Sequence, residues 1–202
     1  MGQHAKQYSD MNAESVLGID ISEKMLEYAK ENYSAENITY RQMALEDIHQ
    51  LNQKFDLVTS SLVFDYVENF DELMKNVYKI MEDNGIFVFS MSHPMSTAYD
   101  GQYPRYTLSQ SGERLYANVN NYFVVGRRII TWVVDNYELY HRTFSSILNS
   151  IIKAGFLIEE CQESQISEEE KKYPDMFGGT IHRPDFIFFR CRKQNNDVGG
   201  NE

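Results

Sequence analysis

The chain has no apolar run near the roughly 20 residues that a bilayer-crossing helix requires, and its opening Met1-Gly2-Gln3-His4 lacks the basic and apolar blocks of a secretory leader. A membrane role is therefore not expected, and the cytoplasm is the expected compartment. Cysteine is scarce. Cys161 and Cys191 are the only two and form no C-x-x-C or His-rich spacing, which excludes a structural zinc site and a disulfide framework. Basic charge is also short, with 19 Lys plus Arg against 30 Asp plus Glu and a formal charge of −11. That balance argues against nucleic acid and anionic lipid as partners.

What is present suits one compact domain. The 202 residues are 42% hydrophobic and 24% charged, and they read as a single unit over 1–193 with an insert at about 94–140 and a disordered polar tail at 194–202. Strand and helix patterns alternate. Val16 to Ile21 is a short apolar run ending in an acid, as in a buried parallel strand, and Ser22 caps a helix whose Met25, Leu26, Ala29 and Tyr33 recur near helical spacing. Asn37 to Gln42 and Phe55 to Ser60 read as strands, Phe70 to Met81 as a helix closed by Asn84-Gly85, and Ile86 to Ser90 as another strand.

From His93 to about Tyr122 the pattern lapses into a long loop, read as a lid, and Tyr122 to Tyr140 reads as a hairpin punctuated by Gly126 and Asp135-Asn136. Thr143 caps a helix that Gly155 ends, and Phe156 to Cys161 with Asp185 to Arg192 form an antiparallel closing pair. The fold class expected is α/β, a Rossmann-like sheet that is mostly parallel with antiparallel closing strands.

Asp20 falls where the first apolar strand gives way to a capped helix, at the carboxyl edge of the sheet, where such folds bind ligands. A carboxylate there can accept both hydroxyls of a ribose; the plain alternative is a helix-start residue. After the next strand, Met43-Ala44-Leu45-Glu46-Asp47-Ile48 again brings an acid to a strand end. Asp47 could accept from an adenine amine while Ala44 and Leu45 flank the ring, or it could simply cap a helix. Two acids at successive strand ends suit a nucleoside better than a phosphate.

This succession resembles the class I S-adenosylmethionine-dependent methyltransferases, in particular the methyltransferase type 11 or 25 kind. Val16-Leu17-Gly18-Ile19-Asp20-Ile21-Ser22 is similar to the second-strand motif, and Met25 matches a position that packs near the adenine. Ala44-Leu45-Glu46-Asp47-Ile48 is similar to the third-strand motif. Phe55 to Leu62 is similar to the fourth, whose end, at Ser60 and Ser61, passes the methionine part of the cofactor, and Asn84 to Ser90 is similar to the fifth. The resemblance implies S-adenosylmethionine as cofactor and a small-molecule methyl acceptor. Asp20 taken alone would equally serve a nicotinamide enzyme.

The resemblance leaves the family's first strand and its D/E-x-G-x-G-x-G turn without a counterpart, with Gly2 matching the last glycine of that turn and His4 to Asp10 the rest of the first helix. The expectation that follows is a working protein with about 40 further residues upstream. The alternative is a degenerate methyltransferase-like protein without activity, or a subunit serving a partner.

In-line methyl transfer needs alignment and exclusion of water more than covalent help. Candidate general bases are His93 after the fifth strand, Asp65 and Tyr66 after the fourth, and His141 before the late helix. His93-Pro94 and His141-Arg142-Thr143 resemble recurring family positions, whereas related proteins often carry histidine at the position of Asp65. Tyr99, Tyr103, Tyr106, Tyr116, Tyr122, Phe123 and Trp132 crowd the lid and could enclose an acceptor or pack on the core. Of Arg127 and Arg128, at most one can face inward from a strand. His49 and His182 are expected on the surface.

Overall fold

The computed structural model describes residues 2–130, 136–173 and 181–195, and the chain divides into two compact units, Met1–Asn52 and Gln53–Glu202. Trp132, Asp135 and residues 196–202 of the tail lie outside the described residues.

The first unit holds helix α1 (Gln3–Asp10), strand β1 (Val16–Asp20), helix α2 (Glu23–Asn32), strand β2 (Ile38–Gln42) and a 3₁₀ turn at Leu45–Gln50. β1 and β2 pair in parallel, Val16 opposite Ile38 and Asp20 opposite Gln42, so both carboxyl ends emerge at one edge. The Ser22 hydroxyl accepts from Met25 N–H at 3.4 Å and starts α2, as its sequence position predicts. Two glycines set the packing. A Cβ on Gly2 would stand 2.8 Å from Ala29 Cβ and 2.9 Å from the Tyr40 hydroxyl, and one on Gly18 would stand 2.7 Å from the Tyr40 ring. Gly2 also has φ +81°, so a side chain there is excluded twice over. Leu26, Ala29, Ile48 and Leu51 form this unit's apolar centre.

The second unit is built on a four-stranded sheet of β3 (Phe55–Ser61), β4 (Met81–Ser92), β9 (Phe156–Glu163) and β10 (Phe186–Lys193), in the order β3-β4-β10-β9. β3 and β4 are parallel, and β10 runs antiparallel to both β4 and β9, which is the expected closing pair. Among the described residues, β1 and β3 each have one edge without a partner strand.

Alternation along β4 and β10 turns Phe87, Phe89, Met91, Ile187, Phe189 and Cys191 to one buried face. Phe89 stacks on Phe87 at 4.7 Å and on Phe189 at 5.1 Å between ring centroids, and Phe64 leans on it at 5.2 Å. Helices α3 (Phe70–Lys79) and α5 (Phe144–Lys153) bring Leu73, Met74, Val77, Ile147 and Ile151 to the core. Asn69 and Thr143 cap them, and Gly155 ends α5 with φ +103°.

Two expectations are corrected. The helix predicted to reach Met81 stops at Lys79, because Phe55 N–H takes the Ile80 carbonyl at 2.9 Å and the Lys193 ammonium takes that of Met81 at 2.8 Å. Asn84-Gly85 lies within β4, where the pairing with β3 shifts register between Met81 and Ile86, with Asn84 at φ +63°. The stretch read as a loop contains helix α4 (Pro94–Thr97) and a hairpin of β5 (Tyr106–Leu108) and β6 (Arg114–Ala117). The Ser109 hydroxyl accepts from Glu113 N–H at 3.0 Å and closes the hairpin turn, a local bond hidden in a run of polar residues. The later hairpin is present as β7 (Gly126–Ile130) and β8 (Tyr137–His141).

Replacing Phe89 by alanine removes the ring that joins Phe64, Phe70, Phe87 and Phe189, and unfolding stability is expected to fall by about 3–5 kcal/mol in urea denaturation. A loss under about 1 kcal/mol would show that the aromatic stack is not the unit's core.

Candidate active site

In the first unit the candidates gather beyond the carboxyl ends of β1 and β2. Asp20 closes β1; its carbonyl accepts from Met43 N–H at 3.0 Å and its Oδ1 from Ser22 N–H at 2.8 Å. The Ser22 bond fixes the side chain at the strand end, and its Oδ2 makes no hydrogen bond among the described residues. Ile21 and Met25 stand beside it as exposed apolar side chains, 70% and 41% accessible. The Gln42 amide donates to the Ile21 carbonyl at 3.0 Å and holds the turn.

Ala44 and Leu45 are half-buried, whereas Glu46 and Asp47 are exposed. Asp47 lies inside the 3₁₀ turn and accepts from the Gln50 amide at 3.0 Å; Ala44 holds the cap position. A carboxylate with a spare oxygen, flanked by exposed apolar groups, can accept a diol and cover a flat base. Gly2 stands apart from this group, at the packed start of α1.

In the second unit the candidates cluster where β3 and β4 leave the sheet. Ser60 is half-buried and Ser61 exposed, and the Ser61 hydroxyl accepts from Ser90 at 3.4 Å. Leu62 then turns sharply at φ +55°, its N–H held by the Ser90 carbonyl at 3.0 Å. A branched residue in the left-handed region costs energy and marks a turn fixed by its surroundings.

Asp65 is only 1% accessible; its Oδ2 accepts from Ser92 N–H at 3.0 Å while its Oδ1 is buried without a partner among the described residues. Burial pushes its carboxyl above the usual range, with the Ser92 N–H and Arg142 pulling the other way. Tyr66 is half exposed, and its hydroxyl donates to that of Tyr137 at 2.9 Å. Burial, then that hydroxyl, raise the Tyr137 phenol.

The two histidines named as general bases are structural pieces here. His93 Nδ1 accepts from Met95 N–H at 3.1 Å and caps α4, which leaves Nε2 to donate to Glu163 at 2.9 Å. His141 is fully buried; its Nε2 donates to the Tyr122 carbonyl at 2.8 Å and its Nδ1 meets the Thr97 hydroxyl at 2.8 Å. Both nitrogens of each ring have partners, so taking a proton from an acceptor would require one of these bonds to break.

Burial drives both imidazoles below the usual histidine range, against Glu163 for His93 and against the Tyr122 carbonyl for His141. Arg142, part of the His141-Arg142-Thr143 stretch that resembles a recurring family position, spans the region: it donates to the carbonyls of Val67, Glu68 and Tyr140 and stacks 5.0 Å from the Phe70 ring. Arg127 pairs with Glu138 at 2.6 Å, and Arg128 is tied to the carbonyls of Asn121 and Val124 at 2.9 Å each. His49 is exposed, but His182 is half-buried against the Arg114 carbonyl at 3.1 Å, a correction to its expected exposure.

Parallel strands with a carboxylate at the first strand end, followed by an antiparallel closing pair, place this chain in the Rossmann-like α/β class. Comparison with known proteins narrows it. The methyltransferase-domain family model matches residues 1–89. An uncharacterized protein of Haemophilus influenzae is 31% identical over 200 residues, spanning 95% of this chain and 77% of that one. A Listeria monocytogenes structure assigned as an S-adenosylmethionine-dependent methyltransferase is 32% identical with a TM-score of 0.86, covering 96% of this chain and 86% of that one. A Mesorhizobium loti S-adenosylmethionine-dependent methyltransferase is also 32% identical, with a TM-score of 0.84 and coverage of 95% and 86%. The chain belongs to the S-adenosylmethionine-dependent methyltransferase family.

The lowered histidines give stability a pH dependence of definite sign. The unfolded chain binds protons on these imidazoles near pH ~6.5 while the folded protein resists them, so their stabilisation is present above that value and is lost as pH falls through the lower folded-state values. Urea midpoints are expected to decline from pH 7.5 to 5.0, with a shallower decline in His141→Gln. A decline of equal steepness in that variant would refute a neutral buried His141.

Proposed function

We propose that this protein transfers a methyl group from S-adenosylmethionine to a small molecule by in-line displacement, in the cytoplasm. The single observation that carries the cofactor assignment is the spare Oδ2 of Asp20 at the end of β1, beside the exposed side chains of Ile21 and Met25. Asp20 would accept the ribose hydroxyls, with Ile21 and Met25 against the adenine. Ala44, Leu45 and Glu46 would line the base, and Asp47 would accept from its exocyclic amine. Gly2, Ser60 and Ser61 are the remaining cofactor candidates, and for these the support is family position alone. When bound, S-adenosylmethionine supplies an electrophilic methyl on a sulfonium.

The residues of this chain then have modest tasks. Displacement at that methyl asks for alignment of the acceptor and exclusion of water. Tyr66 is the candidate that touches the acceptor, because its ring is half exposed and its hydroxyl is oriented by Tyr137. His93 and His141 serve by holding α4 and β8 in place.

Calorimetry with S-adenosylhomocysteine on the full chain tests the assignment. Hydrogen bonds to a charged group are worth about 1.5–3 kcal/mol, so Asp20→Ala is expected to weaken binding by about 10- to 100-fold. Unchanged affinity in that variant would remove Asp20 from the cofactor site.

A further inference from the structure

Beyond the carboxyl end of β4, the second unit holds two arginines that keep donors without partners among the described residues. Asp185 stands just before β10, and its carbonyl accepts from His93 N–H at 2.8 Å, which fixes this segment at the end of the sheet where α/β folds bind ligands. Arg183, two residues earlier, is only 6% accessible. Its Nη2 reaches the Tyr106 hydroxyl at 3.3 Å and Asp185 Oδ1 at 3.3 Å, while its Nη1 is buried without a partner among the described residues. Arg105 lies close enough to feel that charge. Its guanidinium stacks 4.2 Å over the Tyr99 ring and makes no hydrogen bond among the described residues. Burial, then Arg183, push Arg105 below the usual arginine range, with Tyr99, Tyr106 and Asp185 opposing.

Arg183 thus pairs with Asp185, which is itself partly exposed, and Arg105 has no ion pair among the described residues, in a chain whose net charge is −11. A buried donor left unmade and two like charges held together both cost stability. A planar oxyanion answers both, because it accepts from arginine forks and neutralises the excess charge. The Tyr99 ring lies against Arg105, and the Tyr106 ring lies 5.7 Å from Arg183 and 5.2 Å from Arg114.

We propose that Arg105 and Arg183 form an oxyanion subsite, walled by Tyr99 and Tyr106, that takes a carboxylate or phosphate group of the methyl acceptor. The proposal rests on the methyltransferase reading and narrows its acceptor to an acidic small molecule. Of the two arginines the sequence suggested for such a role, Arg127 is paired with Glu138, and Arg128 spends Nη2 on the carbonyls of Asn121 and Val124 while its buried Nε has no partner among the described residues.

The test titrates the full chain with benzoate and with inorganic phosphate, against chloride at equal ionic strength, following heat of binding and thermal midpoint. Benzoate binding identifies a carboxylate, phosphate binding a phosphate, and either is expected to weaken at least about tenfold in Arg105→Gln. Arg105→Gln breaks no hydrogen bond, so it remains informative should Arg183→Gln fail to fold. No binding beyond that of chloride, or equal binding in the Arg105 variant, overturns the subsite. S-adenosylhomocysteine is titrated in the same samples. A chain that takes the cofactor product and no oxyanion sinks the subsite alone, whereas one that takes the oxyanion and no cofactor product sinks the methyltransferase reading.

Discussion

The backbone leaving β3 and β4 must find partners for every polar group it exposes, and this requirement organises the second unit. Leu62 N–H goes to the Ser90 carbonyl, Ser92 N–H to Asp65, His93 N–H to the Asp185 carbonyl and Met95 N–H to the His93 ring. Arg142 collects the carbonyls of Val67, Glu68 and Tyr140. Unpaired backbone groups in a buried place cost as much as lost hydrogen bonds, so side chains with many donors are recruited there. That is why a region rich in histidine, acid and arginine contains so few groups free for chemistry.

The groups that remain unspent define what the protein can recognise. Asp20 keeps one oxygen after bonding Ser22, Tyr66 keeps an exposed ring, and Arg105 and Arg183 keep donors. Methyl transfer by displacement is compatible with so small a set, because the reactivity resides in the sulfonium and the protein contributes orientation. Specificity, in contrast, depends on polar groups left for the acceptor, and a buried donor rejects any molecule that cannot satisfy it.

Much of the fold was legible because its signals are local. Ser22, Asn69 and Thr143 each cap the helix that follows, Gly155 ends α5, and apolar runs mark β1, β3, β4 and β10. The end of α3 was misread because the groups that stop it, Phe55 N–H and the Lys193 ammonium, come from distant strands. The β5–β6 hairpin was missed because its turn is closed by a serine side chain within a polar run. Candidate residues followed the same division. The position of Asp20 at a strand end could be read from the strand pattern, whereas Asp47 falls inside the 3₁₀ turn that follows β2, and the engagement of both nitrogens of His93 and His141 could not be read, since Glu163, Thr97 and Tyr122 lie far along the chain.

The sequence by itself determined the class of fold, the parallel strand ends and the acid that closes the first of them, because periodicity, caps and an apolar run ending in a carboxylate are short-range facts. Only the tertiary structure decided which polar side chains were consumed in holding the chain and which were left over. It engaged both nitrogens of His93 and His141, tied Arg127 to Glu138 and Arg128 to backbone carbonyls, and left Arg183 Nη1 without a partner among the described residues. The physical reason is that availability depends on what the other atoms of a side chain touch, and those contacts span as many as 112 residues, as between Lys193 and Met81.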